Sequence, residues 1–141
     1  MHVASRSALA DARGFTMVEL LVVILIVGIL AMIALPAFIG QRMKGEDSEA
    51  QQMVRTVATA LATFHTDEDT FEASRADLEA IEPAVREASG TLFVDGDDDE
   101  FTIRETSDSD TTFTLTRADD GTLSRSCSIP ERGLCKSDGS W

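Results

Sequence analysis

The chain has 141 residues and a net charge of −13, with 25 Asp and Glu against 12 Lys and Arg. This charge argues against a nucleic-acid-binding protein that depends on broad attraction to phosphates, because like charges repel. The apolar residues, 43% of the chain, are concentrated, since 21 of the 26 residues 15–40 are apolar. The composition therefore predicts one apolar segment and one small acidic module, and it argues against both a free cytosolic globular protein and a polytopic membrane protein.

The apolar segment, residues 15–40, contains one charged residue, Glu19. Residues 20–40 would reach about 31 Å as a helix, enough to cross the hydrocarbon core of a bilayer. A secretory signal peptide is disfavoured because its apolar stretch would be shorter and would end at a small-residue cleavage site. A plain membrane anchor explains the apolar run. It leaves two features unexplained. One is Glu19, because a lipid-facing carboxylate costs several kcal/mol. The other is the abrupt change from polar to apolar residues after Gly14.

The run Gly14-Phe15-Thr16-Met17-Val18-Glu19 resembles the processing motif of type IV prepilins and type II secretion pseudopilins. The resemblance covers about residues 13–42, and Gly28 and Pro36 stand where that superfamily usually has a glycine and a proline. It implies that a prepilin peptidase removes the leader, residues 1–14, and that the same enzyme N-methylates the new terminus at Phe15.

The same resemblance implies a place in the cell and a set of partners. The N-terminus is expected on the cytoplasmic side of the cytoplasmic membrane, and residues 41–141 on its outer side. The chain is expected to be anchored in the membrane first and to enter a filament afterwards. The basic residues do not decide the orientation, since two stand before the span and two after it. The expected orientation therefore depends on the motif and on the cysteine pair described below. The expected partners are other copies of the chain, the peptidase and a pilus or secretion assembly machinery.

Glu19 has a physical role that follows from cleavage after Gly14. The cut would place an amine on Phe15, and a carboxylate in hydrocarbon must either become protonated or find a cation. The Phe15 amine of a neighbouring subunit could be that cation, so that the pair fixes the register of assembly. The alternative is a glutamate that lies at the membrane edge. Pro36 predicts a kink or local unwinding, which Gly28 would favour; the resemblance implies that this segment can lose helical structure during assembly.

Residues 41–141 form the predicted soluble module. An apolar stripe at helical spacing extends the first helix, so one helix of about fifty residues is expected, with residues 41–66 in the module. Ser74 and Asp77 form a variant capping box that predicts a second helix over residues 74–88, which Pro83 divides. Four β-like runs predict an antiparallel meander within residues 91–126: 91–94, 101–104, 112–117 and 122–125. The predicted fold is therefore α+β and pilin-like, a long N-terminal helix packed against a small antiparallel sheet.

Cys127 and Cys135 are the two cysteines, in the sequence CSIPERGLC. A metal site would need more ligands, and a redox pair more often has the spacing C-x-x-C. A disulfide that closes residues 127–135 in an extracytoplasmic domain is expected, and two free thiols would be expected only in the cytosol. The loop also resembles the disulfide-closed C-terminal region that is common in type IV pilins.

Asp95, Asp97 and Asp99 alternate in the densest acidic run and begin like a calcium loop. The template then fails, since Glu100 replaces the required glycine and Thr106 replaces the bidentate glutamate. A solvated hairpin loop is the favoured interpretation and calcium the alternative; no other cofactor is expected. No catalytic motif is present, so we expect no enzyme.

These observations predict a structural subunit of a type IV pilus that polymerises through its N-terminal helix. A type II secretion pseudopilin, which has the same N-terminal design, is the first alternative. A binding protein with one membrane span that does not polymerise, and a minor pilin that captures DNA, are further alternatives. The acidic module has no evident basic stripe, so no nucleic-acid partner is expected.

Overall fold

The computed structural model describes residues 14–141, and the predicted leader lies outside them except for Gly14. The chain divides into two compact units at Ala37. The elements are α1 (Met17–Glu68), α2 (Arg75–Ile81), a 3₁₀ helix (Pro83–Glu87), β1 (Phe93–Gly96), β2 (Phe101–Thr106), β3 (Thr112–Arg117) and β4 (Leu123–Cys127). The predicted α+β class is confirmed.

The described part of the first unit, residues 14–37, is mostly the beginning of α1, which is apolar and exposed. Every large apolar side chain from Met17 to Leu35 is at least 45% exposed. The local unwinding expected at Pro36 does not occur, since α1 is helical on both sides of Pro36 and at Pro36 itself. A proline removes one helical hydrogen bond, and α1, with 52 residues, retains the rest of its ladder.

The second unit contains the sheet, an antiparallel meander in the order β1-β2-β3-β4. Strands β2 and β3 alternate between buried and less buried residues, as a sheet with one covered face requires. Their inward residues join the later part of α1 in one hydrophobic core. Its fully buried members include Val54, Val57, Leu61, Ile103 and Phe113.

The capping box at the start of α2 is present as the sequence indicates. Ser74 accepts a hydrogen bond from the backbone N–H of Asp77, and the Asp77 carboxylate accepts one from the backbone N–H of Ser74. The helix ends at Ile81, and the chain continues as the 3₁₀ helix that begins with Pro83. Proline suits this first position because its missing N–H would have no partner there.

Strand β1 begins two residues later than the sequence predicts, at Phe93 rather than residue 91. Thr91 lies in a turn instead, because its backbone N–H and hydroxyl bond the hydroxyl of Ser89. The strand extends to Gly96, which pairs with Phe101. A Cβ on Gly96 would come within 2.6 Å of a backbone carbonyl oxygen, that of Phe71, so glycine allows this close approach.

Candidate functional site

The predicted cleavage junction lies in an exposed, non-helical stretch directly before α1. Gly14, Phe15 and Thr16 precede the first helical residue, and Phe15 is 85% exposed. A Cβ on Gly14 would meet no atom within 4 Å, so the fold itself does not require glycine here. This geometry leaves the Gly14–Phe15 bond accessible to a peptidase.

Glu19 closes a capping box at the start of α1. The backbone N–H and the hydroxyl of Thr16 both donate to Oε2 of Glu19, at 2.9 Å each. In return the backbone N–H of Glu19 donates to the Thr16 hydroxyl at 3.1 Å. This local role was not predicted from the sequence, although Thr-x-x-Glu is a known signal of a helix start. Because a carboxylate has about four acceptor positions, the box leaves Glu19 capacity for a further donor.

The apolar beginning of α1, which also contains Gly28, carries most of the exposed large apolar side chains among the described residues. By length and composition, α1 contains a stretch that could cross a membrane. A continuous apolar surface of this kind marks contact with lipid or with other protein chains.

A buried carboxylate, Asp47, holds the later part of α1 to the rest of the module. Its side chain is fully buried and accepts hydrogen bonds from Ser107 Oγ at 2.8 Å, Ser109 Oγ at 2.6 Å and the backbone N–H of Leu134 at 2.9 Å. These donors come from the turn after β2 and from the C-terminal loop. Gly133 has a φ of 59°, and a Cβ there would collide with the Asp47 carboxylate. Asp47 therefore joins three segments that are distant in sequence.

The predicted disulfide between Cys127 and Cys135 is present, with the Cα atoms 5.8 Å apart. It links the end of β4 to the loop that bonds the Asp47 carboxylate. Trp141 forms a second link between the C-terminal residues and the sheet, since its indole N–H donates to the Thr114 carbonyl in β3 at 3.1 Å. The C-terminal segment is thus tied to both α1 and the sheet.

The acidic run begins with Asp95 in β1 and continues through the turn between β1 and β2. Asp97 Oδ1 accepts the backbone N–H groups of Asp99 and Glu100, both at 3.1 Å. Between residues 14 and 141, no group of three or more His, Cys, Asp or Glu side chains is arranged to hold a metal ion, and Asp95 forms no such group with its neighbours. Calcium binding remains a prediction without a formed site. His65 stacks on Phe71, with ring centroids 4.1 Å apart, which is a packing role.

The N-terminal segment, which contains the exposed Gly14–Phe15 junction and the start of α1, is similar to known proteins. Residues 9–35 match the family model of the prokaryotic N-terminal methylation motif. Over 59 residues the chain is 41% identical to the type IV major pilin protein PilA of Myxococcus xanthus, which covers 42% of this chain and 27% of that protein. Over part of its length the chain is therefore similar to a type IV pilin and to a type II secretion core protein.

Two further relatives are similar to this chain over comparable lengths. The fimbrial protein EcpC of Eikenella corrodens is 38% identical over 64 residues, 45% of this chain and 42% of that protein. The type II secretion system core protein G of Pectobacterium carotovorum is 30% identical over 69 residues, 49% of this chain and 44% of that protein. The matches thus span between about a quarter and a half of these relatives. No solved structure matches the chain.

Proposed function

We propose that this chain is a structural, non-catalytic subunit of a type IV pilus. In this proposal a prepilin peptidase cleaves after Gly14 and N-methylates Phe15, and an assembly machinery then polymerises the subunit from the membrane. The observation that carries the proposal is an exposed apolar helix preceded by an accessible Gly-Phe junction within a matched methylation motif. An apolar surface of this length is unstable in water, so lipid and then neighbouring helices must cover it.

Glu19 distinguishes an assembling subunit from a simple membrane anchor. In a filament, its carboxylate would accept the methylated Phe15 amine of a neighbouring chain in addition to the two bonds from Thr16. A subunit docked out of register would leave the charges unpaired in an apolar environment, which is strongly unfavourable. Gly28 and Pro36 would contribute by allowing α1 to deform when the helices pack.

A type II secretion pseudopilin is the second candidate. The alignment to core protein G is the longer one, with 69 residues against 59 for the match to PilA. Both candidates share the membrane origin, with the N-terminus inside and the module outside. They differ in product, since the first predicts long filaments on the cell surface under native expression and the second predicts short assemblies in the periplasm.

The test compares Glu19→Ala, Glu19→Gln and the control Thr16→Ala in cells. The control removes the two capping bonds that involve the Thr16 hydroxyl and retains the Glu19 carboxylate with its bond from the backbone N–H of residue 16. We expect all three to insert, and both Glu19 variants to be depleted in sheared filaments relative to the membrane pool, whereas Thr16→Ala assembles. Precursor processing is measured separately by mass. Equal yields from Glu19→Ala and wild type would contradict the proposed role, and equal losses in Thr16→Ala and Glu19→Ala would reduce it to helix capping.

A further inference from the structure

Two arginines of the second unit, Arg55 on α1 and Arg125 on β4, contact the same aromatic ring. Each guanidinium carbon lies 5.3 Å from the centre of the Trp141 ring, which is within range of a cation–π contact. Trp141 is only 8% exposed, and its indole N–H is bonded to the Thr114 carbonyl, so the ring is held in place. The two charges are therefore fixed close together. We call Arg55, Arg125 and Trp141 the arginine patch.

Both arginines of the patch are exposed and have no partner in the described part of the chain. Within residues 14–141, neither guanidinium forms a salt bridge or a hydrogen bond. Arg42, Arg75 and Arg86, by contrast, each pair with a glutamate of the same chain. A guanidinium can contact an aromatic ring and still donate N–H groups to a carboxylate. The patch thus offers two fixed cations to carboxylates of another molecule.

The edge of the sheet beside the patch is open. The backbone N–H of Cys127 points away from β3 and donates to the Gly139 carbonyl. Because backbone groups alternate along a strand, those of Leu123 and Arg125 also point away from β3. They form no hydrogen bond with other residues that the structure describes. The side chain of Leu123 is 57% exposed. An open edge of this kind is a surface at which another chain can dock.

The chain carries a feature of opposite charge, the acidic turn, which consists of Asp98, Asp99 and Glu100. All three residues are exposed, and in the described part of the chain their carboxylates form no salt bridge or hydrogen bond. The backbone of the turn is held from two elements. The His65 ring on α1 lies 3.2 Å from the Asp98 carbonyl oxygen, and the Arg117 guanidinium on β3 donates to the Asp99 carbonyl. The turn therefore presents its carboxylates from a fixed position.

The strand order separates these two features within one copy. The acidic turn follows the edge strand β1, and Arg125 lies in the opposite edge strand, β4. Copies of a chain with a net charge of −13 repel on average, so a contact between modules requires carboxylates of one copy to face free cations of another. A contact between two different surfaces is heterologous, and it repeats into an open filament where the rotation does not close a ring.

We propose that the arginine patch of one copy binds the acidic turn of the next copy. The inference rests on the proposed function, in which copies of the chain assemble into a filament. The planar guanidinium groups of Arg55 and Arg125 suit carboxylates, because each can donate two parallel N–H bonds. Each module then uses its acidic turn toward one neighbour and its arginine patch toward the other, which gives the filament a direction.

The test reverses the charge of each surface in a separate full-length chain. One chain carries Arg55→Glu and Arg125→Glu, and the other carries Asp98→Arg and Asp99→Arg. Each chain alone brings like charges together, so we expect subunits to dissociate from its purified filaments about tenfold faster than from wild-type filaments. When both chains are expressed in the same cells, the reversed patch meets the reversed turn and the native patch meets the native turn. We expect mixed filaments that dissociate at the wild-type rate.

The matched control carries Lys44→Glu and Arg104→Glu, the same change of charge at two exposed cations outside the patch. Arg104 also lies over an aromatic ring, 4.1 Å from the centre of Phe93, so the control includes the loss of a cation–π contact. We expect its filaments to dissociate at the wild-type rate. Unfolding of each chain in detergent micelles shows whether the monomer is intact, and recovery in the mixture requires both reversed chains to be folded.

The outcomes separate this inference from the proposed function. Reversed chains whose filaments dissociate at the wild-type rate would overturn the inference and leave the proposed function standing. Faster dissociation without recovery in the mixture would also overturn it, since a structural role of the four residues gives that result. An equal effect in the control would do the same, because the total charge of the module would then be the cause. A wild-type chain that forms no filament would contradict the proposed function and this inference together.

Discussion

Replacing Asp47 by alanine would remove the acceptor at which α1, the turn after β2 and the C-terminal loop meet. Asp47 is fully buried and accepts three hydrogen bonds of 2.6–2.9 Å. Hydrogen bonds to a charged group contribute about 1.5–3 kcal/mol each, and an unsatisfied buried donor costs about 1–3 kcal/mol. The simple sum would overestimate the effect, because some donors have other partners.

The two serine hydroxyls retain such partners in the alanine variant. Ser107 Oγ can donate to the Thr111 carbonyl at 3.2 Å, and Ser109 Oγ lies 3.1 Å from the Thr111 hydroxyl. The Leu134 N–H bonds Asp47, and the substitution would leave it without that acceptor. We therefore expect Asp47→Ala to lower the free energy of unfolding by about 3–4 kcal/mol.

Asparagine at the same position separates hydrogen bonding from packing. Its carbonyl oxygen can accept the Leu134 N–H while its amide donates to the serine hydroxyls, which also accept. Asp47→Asn should therefore cost only about 1 kcal/mol, the value of the lost charge assistance. Gln52→Ala, an exposed change on the same helix, should stay within about 0.5 kcal/mol of wild type.

The assay is denaturant unfolding of the oxidised full-length chain in detergent micelles. Fluorescence reports on the module because Trp141 is the one tryptophan and is only 8% exposed. The free energy is read from the transition midpoint at constant slope. An alanine variant as stable as the Gln52→Ala control, or an asparagine variant as unstable as alanine, would refute the assignment of Asp47 as the joining acceptor.

Three further predictions concern the same module. Gly133→Ala should destabilise it by about 1–3 kcal/mol, since φ is 59° and the added Cβ meets the buried carboxylate; an unchanged midpoint would contradict this. Serine at both Cys127 and Cys135 should cost about 2–3 kcal/mol, because the bond closes a loop between residues eight apart, and equal stability of the reduced and oxidised chain would contradict this. The pKa of Asp77 lies below its ordinary value of 3.8 because the Ser74 hydroxyl and backbone N–H donate to the carboxylate. The stabilisation from the ionised Asp77 carboxylate is therefore fully present above pH 3.8 and is lost as the pH falls through the lower pKa of the folded state. Asp77→Asn should lower the free energy of unfolding at pH 7 and have little effect in strong acid.

The elements of the fold were largely predictable because their signals are local. The apolar run and the stripe that follows it indicate one long helix, and α1 spans Met17–Glu68. Alternation identified β3 with its observed bounds, Thr112–Arg117. The start of β1 was not predictable, because the hydroxyl bonds that turn the chain at Thr91 do not affect the apolar pattern on which the prediction rests.

Two buried carboxylates, those of Asp47 and Glu105, were missed for a different reason. Asp47 stands in the acidic stretch GEDSE, which reads as a solvated helix face. Its spacing to Ala50, Val54 and Val57 nevertheless continues the buried stripe, so periodicity held a signal that charge obscured. Glu105 follows Phe101 and Ile103 on the inward face of β2, and the predicted strand ended one residue too early to include it.

The most direct test of the account is the N-terminal peptide of the subunit recovered from sheared surface filaments. Mass spectrometry of that peptide reports cleavage, methylation and assembly in one sample. The account predicts that the chain is found there and begins at an N-methylated Phe15. A chain that begins at Met1, that begins at an unmethylated residue elsewhere, or that occurs in the membrane fraction and never in filaments would contradict it.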